Sequence, residues 1–216
     1  MLIPVKPGEL SRLIPAVATG PQFNACSGNP RTLLQRLLIS VIGGVITLLI
    51  SQTLLFSSQA GPIALVVGVV FLLYILWGPI LEAGQKNATL RRYPAAAIFE
   101  GEVADFYTRE VVENEREQAN GEGRLERVEN RRTWLCLELA DEDGYLGQVR
   151  VRLDQKKHQV IRRGQVVRCL VLSERADFAR IGALSDAWLP QVKLWVGEYP
   201  YLLRPAFEEL CLRRLR

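Results

Sequence analysis

The sequence has a single histidine, and from Leu37 to Leu81 it has no charged residue. The histidine, His158, lies in Lys156-Lys157-His158-Gln159 with no serine or cysteine beside it in a nucleophile motif. A histidine can act through distant partners, but nothing in the sequence singles one out. There is no GxxxxGK[ST] phosphate loop, no GxGxxG after a strand and no HExxH. The four cysteines, Cys26, Cys136, Cys169 and Cys211, stand far apart and form neither CxxC nor any other metal spacing. Cys136 and Cys169 fall in apolar, strand-like runs and read as small buried hydrophobes. The acidic turn Asp141-Glu142-Asp143-Gly144 fails as a calcium loop: its glycine is misplaced and Arg152 stands where the bidentate acid belongs. It reads as a hairpin turn. The chain therefore reads as a non-enzyme with no catalytic residue, no cofactor, no metal site and no evident small-molecule substrate.

A concentrated basic surface is missing as well. The net charge is +4, but the excess lies near the apolar run. Arg124, Arg127, Arg131 and Arg132 are interleaved with Glu122, Glu126 and Glu129, as on a solvated face. Nucleic acid is not an expected partner. Residues 1–30 contain no continuous apolar core, so no signal peptide is expected before the first apolar segment. Nor is there an ionisable residue inside the apolar run from which a proton or ion path could be built.

The uncharged run is more than twice the roughly 20 residues that one membrane span needs. It divides at Ser57-Ser58-Gln59-Ala60-Gly61-Pro62, where small polar residues, a terminator and a helix-starting proline meet. Two spans are predicted, about 37–56 and 63–81, the second ending around Trp77-Gly78-Pro79, with Tyr74 and Trp77 at its interface. Lys6, Arg12, Arg31 and Arg36 precede the pair, Lys86, Arg91 and Arg92 follow it, and the turn has no charge. The positive-inside rule then places both termini on the cytoplasmic side. On that side Asn87-Ala88-Thr89 is a chance glycosylation match, and the cysteines stay reduced.

Four regions are expected. Residues 1–30 read as a flexible arm, with Asn29 and Pro30 starting the first helix. Residues 31–92 form the transmembrane hairpin. Residues 93–184 carry short strands: AIFEGEVADFYT from Ala97, with a glycine suited to a bulge; TWLCLELA; Gly147–Leu153, with its valines on one face and its arginines on the other; and QVVRCLVLS after an Arg163-Gly164 turn. Arg109–Arg132 between them is polar and reads as an exposed loop or a long hairpin tip. The fold class is thus a membrane α-hairpin plus a small all-β barrel, OB-like or SH3-like, with a C-terminal helix. Residues 185–216 gather Trp188, Trp195, Tyr199, Tyr201 and Phe207 between Pro190, Pro200 and Pro205. Before Pro205 this segment must be extended; after it Phe207, Leu210, Cys211 and Leu215 share one helical face. The aromatics either cover the barrel or contact a partner or a membrane surface. The partner-binding set is taken as Trp188, Trp195, Tyr199, Tyr201, Arg213, Arg214 and Arg216.

A two-span hairpin followed by FEGEVADFYTRE and closing with LWVGEYPYLLRPAFEEL resembles a family of small thylakoid membrane proteins of cyanobacteria and chloroplasts, over about Arg31 to the C-terminus. The resemblance implies a thylakoid location, stromal termini and a link to accumulation of the cytochrome b6f complex. It carries over no functional residue. VIRRGQVVRCLVLS is also similar to a strand pair of NfeD-like proteins, a likeness of fold more than function. The reading is a membrane-anchored assembly or stability factor for a photosynthetic complex, its partners being complex subunits and the lipid bilayer. The alternatives are a permanent accessory subunit of a photosynthetic or transport complex, or an NfeD-like scaffold.

Overall fold

The computed structural model describes residues 1–28, 30–55, 60–119, 125–142 and 144–215, and their side chains apart from those of 53–55, 60–61, 113–119, 125–130 and 145. Along the chain run β1 (Leu2–Val5), α1 (Pro7–Leu13), α2 (Gly20–Ser27), α3 (Pro30–Leu55), α4 (Ala60–Leu72), α5 (Tyr74–Arg91), β2 (Ala95–Ala119), β3 (Leu125–Asp141), β4 (Gly144–Arg152), α6 (Gln155–His158), β5 (Val166–Ser173), β6 (Ile181–Leu184), β7 (Ala187–Leu189), β8 (Leu194–Val196) and α7 (Arg204–Arg214). Two compact units result: Met1–Leu13 with Tyr93–Arg216, and Ile14–Arg92.

The first unit is a curled antiparallel half-barrel in the order β4-β3-β2-β5-β7-β8, with β1 on β2 and β6 on β5. Strand alternation sorts its residues onto two faces. Phe99, Val103, Leu137, Val149, Val167, Cys169 and Val171 fill the inner face, and Arg150 and Arg152 point outward as the alternation in β4 predicts. Ile98 and Leu170 pair across β2 and β5. They too are buried, but on the opposite face, which α1 and α7 cover with Leu10, Leu13, Phe207, Leu210 and Cys211. Gly164, at φ +76°, makes the predicted turn and donates its N–H to Val103 O.

Two expectations change here, and a third, open between loop and hairpin, resolves as the hairpin. The amino-terminal arm is not a loose leader: β1 pairs with β2 from Leu2↔Phe99 to Val5↔Ala96, because β3 leaves that edge of β2 open beyond Glu102. Arg109–Arg132 belongs to a long hairpin whose register runs to Ala119↔Leu125; the tip at 120–124 lies outside the described residues. The register of β2 shifts between Val103 and Asp105 and again between Val112 and Asn114, both after Gly101 rather than at it. Gly101 serves close packing instead, since a Cβ there would collide with Ala140 O and the Phe99 ring.

The second unit is helical. Pro30–Gln52 within α3 is long and apolar enough to cross a membrane. Its exposed apolar residues, among them Leu38, Ile42, Ile46 and Leu49, leave one small, buried or half-buried stripe at Ser40, Gly44, Thr47 and Ser51. α4 packs on that stripe: a Cβ on Gly44 would lie 2.6 Å from Leu72 Cδ2, and one on Gly68 2.7 Å from Thr47 Oγ1. Small residues of this kind let helices approach without a hydrophobic driving force.

The second predicted span is not one straight helix. It breaks at Leu73, where α4 and α5 meet at 70°, and α5 continues through Pro79 to Arg91. Pro79 cannot donate to the carbonyl of Ile75 and its ring crowds that oxygen, which weakens the helix just after the break. Two backbone groups left by the break at Leu73 find partners: Ile75 N donates to Ser40 Oγ at 3.1 Å, and Val70 O accepts from Trp77 Nε1 at 2.9 Å. Below the apolar part Arg36 pairs with Glu82 and donates to Cys26 O. Asn87 is fully buried against Gln22 and Pro15 O, so it is no glycan acceptor. Of the expected break at 57–62, residues 57–59 lie outside the described residues, as does the Asn29 cap, while Ala60, Gly61 and Pro62 begin α4.

Candidate functional site: the carboxy-terminal aromatic face

The tail is part of the sheet, not a strap laid over a finished barrel. β7 pairs with β5 at Arg168↔Trp188 and with β8 at Trp188↔Trp195. Directly opposed residues of an antiparallel ladder project to the same face, so Glu100, Arg168, Trp188 and Trp195 form one row. Glu100 Oε2 accepts from Arg168 Nε at 2.5 Å. The Arg168 guanidinium lies 5.7 Å from the Trp188 ring, and the two indoles stack at 6.2 Å and 18°. Phe207 of α7 meets Trp195 edge-on at 5.7 Å, Arg204 sits 5.2 Å over the same ring, and Trp195 Nε1 donates to Glu208 Oε1 at 3.0 Å. The row is the bed on which α7 rests.

The predicted partner-binding residues therefore separate. Trp188 and Tyr199 are 8 % and 6 % exposed, which makes them packing residues rather than interface anchors. Trp195 and Tyr201 are half-buried, and Tyr199 and Tyr201 meet edge to face at 4.7 Å. Arg214 is bound to Glu9 of α1 through both carboxylate oxygens at 3.0 Å, while Arg213 is exposed beside Glu209 at 3.6 Å. Arg216 lies outside the described residues.

Sequence reading missed Asp186 and Arg204. Asp186 precedes β7 and its side chain is 2 % exposed. Its Oδ1 accepts the Leu202 N–H at 3.1 Å. Burial pushes the carboxyl up from its ordinary 3.8 to about 7, against the pull of the Leu202 N–H and Arg204. Burial also raises the Cys169 thiol and pushes that of Cys211 up to about 12, so both stay protonated. No local signal marks Asp186, because its burial follows from Gly197 and Leu202 returning over it.

A cleft of about 560 Å³ opens where the long hairpin leaves the half-barrel, lined by Phe106, Thr108, Leu135, Leu153 and His158 among others. Its imidazole is engaged in local structure: Nδ1 accepts the Asp154 N–H at 3.1 Å, closing the turn of α6. Burial holds it below its usual range. Among the described residues no three carboxylate, thiol or imidazole groups stand together to hold a metal ion.

Neither the curated proteins nor the solved structures contain a match to this chain. A family model described as Family of unknown function (DUF8619) matches residues 3–216, and the chain belongs to that family.

Proposed function

We propose that this chain is a non-enzymatic, membrane-anchored assembly or stability factor for a multi-subunit membrane complex, of the photosynthetic, cytochrome b6f-like kind to which the resemblance in its sequence points. The observation that carries the anchoring is the length and apolarity of Pro30–Gln52, and the pairing of β1 with β2 supports a return of the chain. That pairing ties the two ends of Ile14–Arg92 into one folded unit, and those ends must then lie on one side of any membrane. If α3 crosses, the chain has to return. The apolar material for a return is α4 with the first turns of α5. The 13 residues of α4 reach about 20 Å of a roughly 30 Å hydrocarbon layer, so Tyr74–Leu81 completes the leg obliquely. The flanking lysines and arginines favour the cytoplasmic, or stromal, side for both ends.

The partner surface is the outward side of the tail: Tyr201, Leu203 and Leu212, with Arg213 adding attraction. Leu203 and Leu212 are 39 % and 60 % exposed, and buried Tyr199 meets Tyr201 edge to face. Affinity purification from the native membrane tests the reading. Complex subunits should co-purify substoichiometrically, enriched in incomplete assemblies; one-to-one recovery with the mature complex would favour a permanent subunit. Reporters after Ser58 and at the C-terminus should label opposite sides. The same side for both would remove the hairpin.

A further inference from the structure

Asp186 sits where the segment from Gly197 to Leu203 passes back over the sheet toward α7. The fit is close: a Cβ on Gly197 would lie 2.7 Å from Asp186 Cβ. One carboxylate oxygen holds this segment through the Leu202 N–H. The other, Oδ2, is buried without a hydrogen bond. Arg204 Nε stands 3.9 Å from it, beyond hydrogen-bonding range, while the Arg204 guanidinium rests over the Trp195 ring. A buried carboxylate with one bare oxygen is costly when ionised unless a cation closes on it.

We propose that Asp186 and Arg204 form a proton-controlled latch on the segment leading into α7. With Asp186 protonated, Arg204 stays on the Trp195 face. When the proton leaves, Arg204 moves off the indole to bond Oδ2 and draws the start of α7 with it. The latch needs no partner, so it stands apart from the assembly role.

The surroundings leave Arg204 as the responding charge. From β5, Arg168 is held by Glu100 and stacked on Trp188, and Cys169 stays a thiol. From α7, Cys211 stays a thiol and Glu208 holds the Trp195 indole. From the passing segment, Glu198 points to solvent, and Tyr199 and Tyr201 bring phenols. The carboxyl titrates at about 7, so both states are populated near neutrality. The sign is clear: the folded chain holds this proton more tightly than the unfolded one. The stabilisation is complete below 3.8 and is lost as pH rises through about 7.

Tryptophan fluorescence of the full chain in nanodiscs, titrated from about pH 5 to about pH 9 across the carboxyl, imidazole and amine ranges, reads the latch. The wild type should show a transition centred near neutrality, retained in His158→Gln and lost in Trp195→Phe, which identifies the reporter among the four tryptophans. Asp186→Asn keeps an acceptor for Leu202 and should give a flat curve. Arg204→Gln should move the midpoint up by about 1 pH unit, the usual effect of removing a nearby opposite charge. A flat wild-type curve, a transition surviving in Trp195→Phe or one surviving in Asp186→Asn overturns the latch. If Asp186→Asn does not fold, an unmoved midpoint in Arg204→Gln overturns it equally.

Discussion

Trp188 and Arg213 stood side by side in the sequence-based partner set, yet they occupy opposite environments. Trp188 lies between the Arg168 guanidinium and the Trp195 ring and is 8 % exposed. Arg213 is 65 % exposed and faces a half-free Glu209. Truncating a buried tryptophan removes both transfer energy and packing, about 3–5 kcal/mol, whereas an exposed ion pair on a helix contributes about 0.5 kcal/mol or less. Trp188→Ala should therefore lower the chemical-denaturation midpoint strongly, and Arg213→Gln should leave it within error while weakening partner recovery in a salt-dependent way. A Trp188→Ala protein with wild-type stability would return that residue to the interface.

Helices α3 and α4 are apolar on nearly every side, so their specificity resides in the small stripe of α3. Gly44 is a point of close approach in it, because any side chain there meets Leu72 just before the break at Leu73. Gly44→Leu should separate α4 from α3: cysteines introduced at Thr47 and Gly68, adjacent in the native packing, should cross-link efficiently in the parent and poorly in the variant. Equal cross-linking would show that the helices can shift past one another at no cost. The break in the second apolar segment was not legible from composition, which is uniformly apolar across Leu72, Leu73 and Tyr74. It depends on partners that sequence does not display together, Ser40 from α3 and the Trp77 indole. Each satisfies a backbone group that the break leaves without its helical partner.

At the scale of the molecule, the β unit is discontinuous in sequence. β1 fills the edge of β2 beyond the end of β3, Leu13 O accepts the N–H of Leu203, and Glu9 holds Arg214. A fragment of residues 93–216 should thus melt below, and less cooperatively than, the same fragment carrying residues 1–13 on a flexible linker. Circular dichroism would read the difference as a lower midpoint at unchanged strand content. Identical melts would mean that the amino-terminal strand is an accessory rather than part of the unit.

Local chemistry was enough to determine a good deal. The long uncharged run, the alternation of valines and arginines in Gly147–Leu153, the hairpin that pairs Asp141 with Gly144, the Arg163-Gly164 turn, and the helical face of Phe207, Leu210 and Cys211, though not Leu215, which lies past the end of α7, all rest on neighbours a few residues apart. Burial of Cys136 and Cys169 could be read the same way, from the apolar runs around them. What lay beyond reach was every pairing across a long stretch of chain. β1 carries the four-residue sequence LIPV, too short to declare a strand before β2 offers it an edge. Trp188 and Trp195 look alike on paper as core or interface until Arg168 and α7 enclose one more than the other. Asp186 resembles an ordinary polar residue before a strand; only the return of Leu202 and Gly197 over it removes water. The physical reason is the same in each case: hydrophobic periodicity and turn geometry are properties of a segment, whereas desolvation belongs to a place that several segments make together.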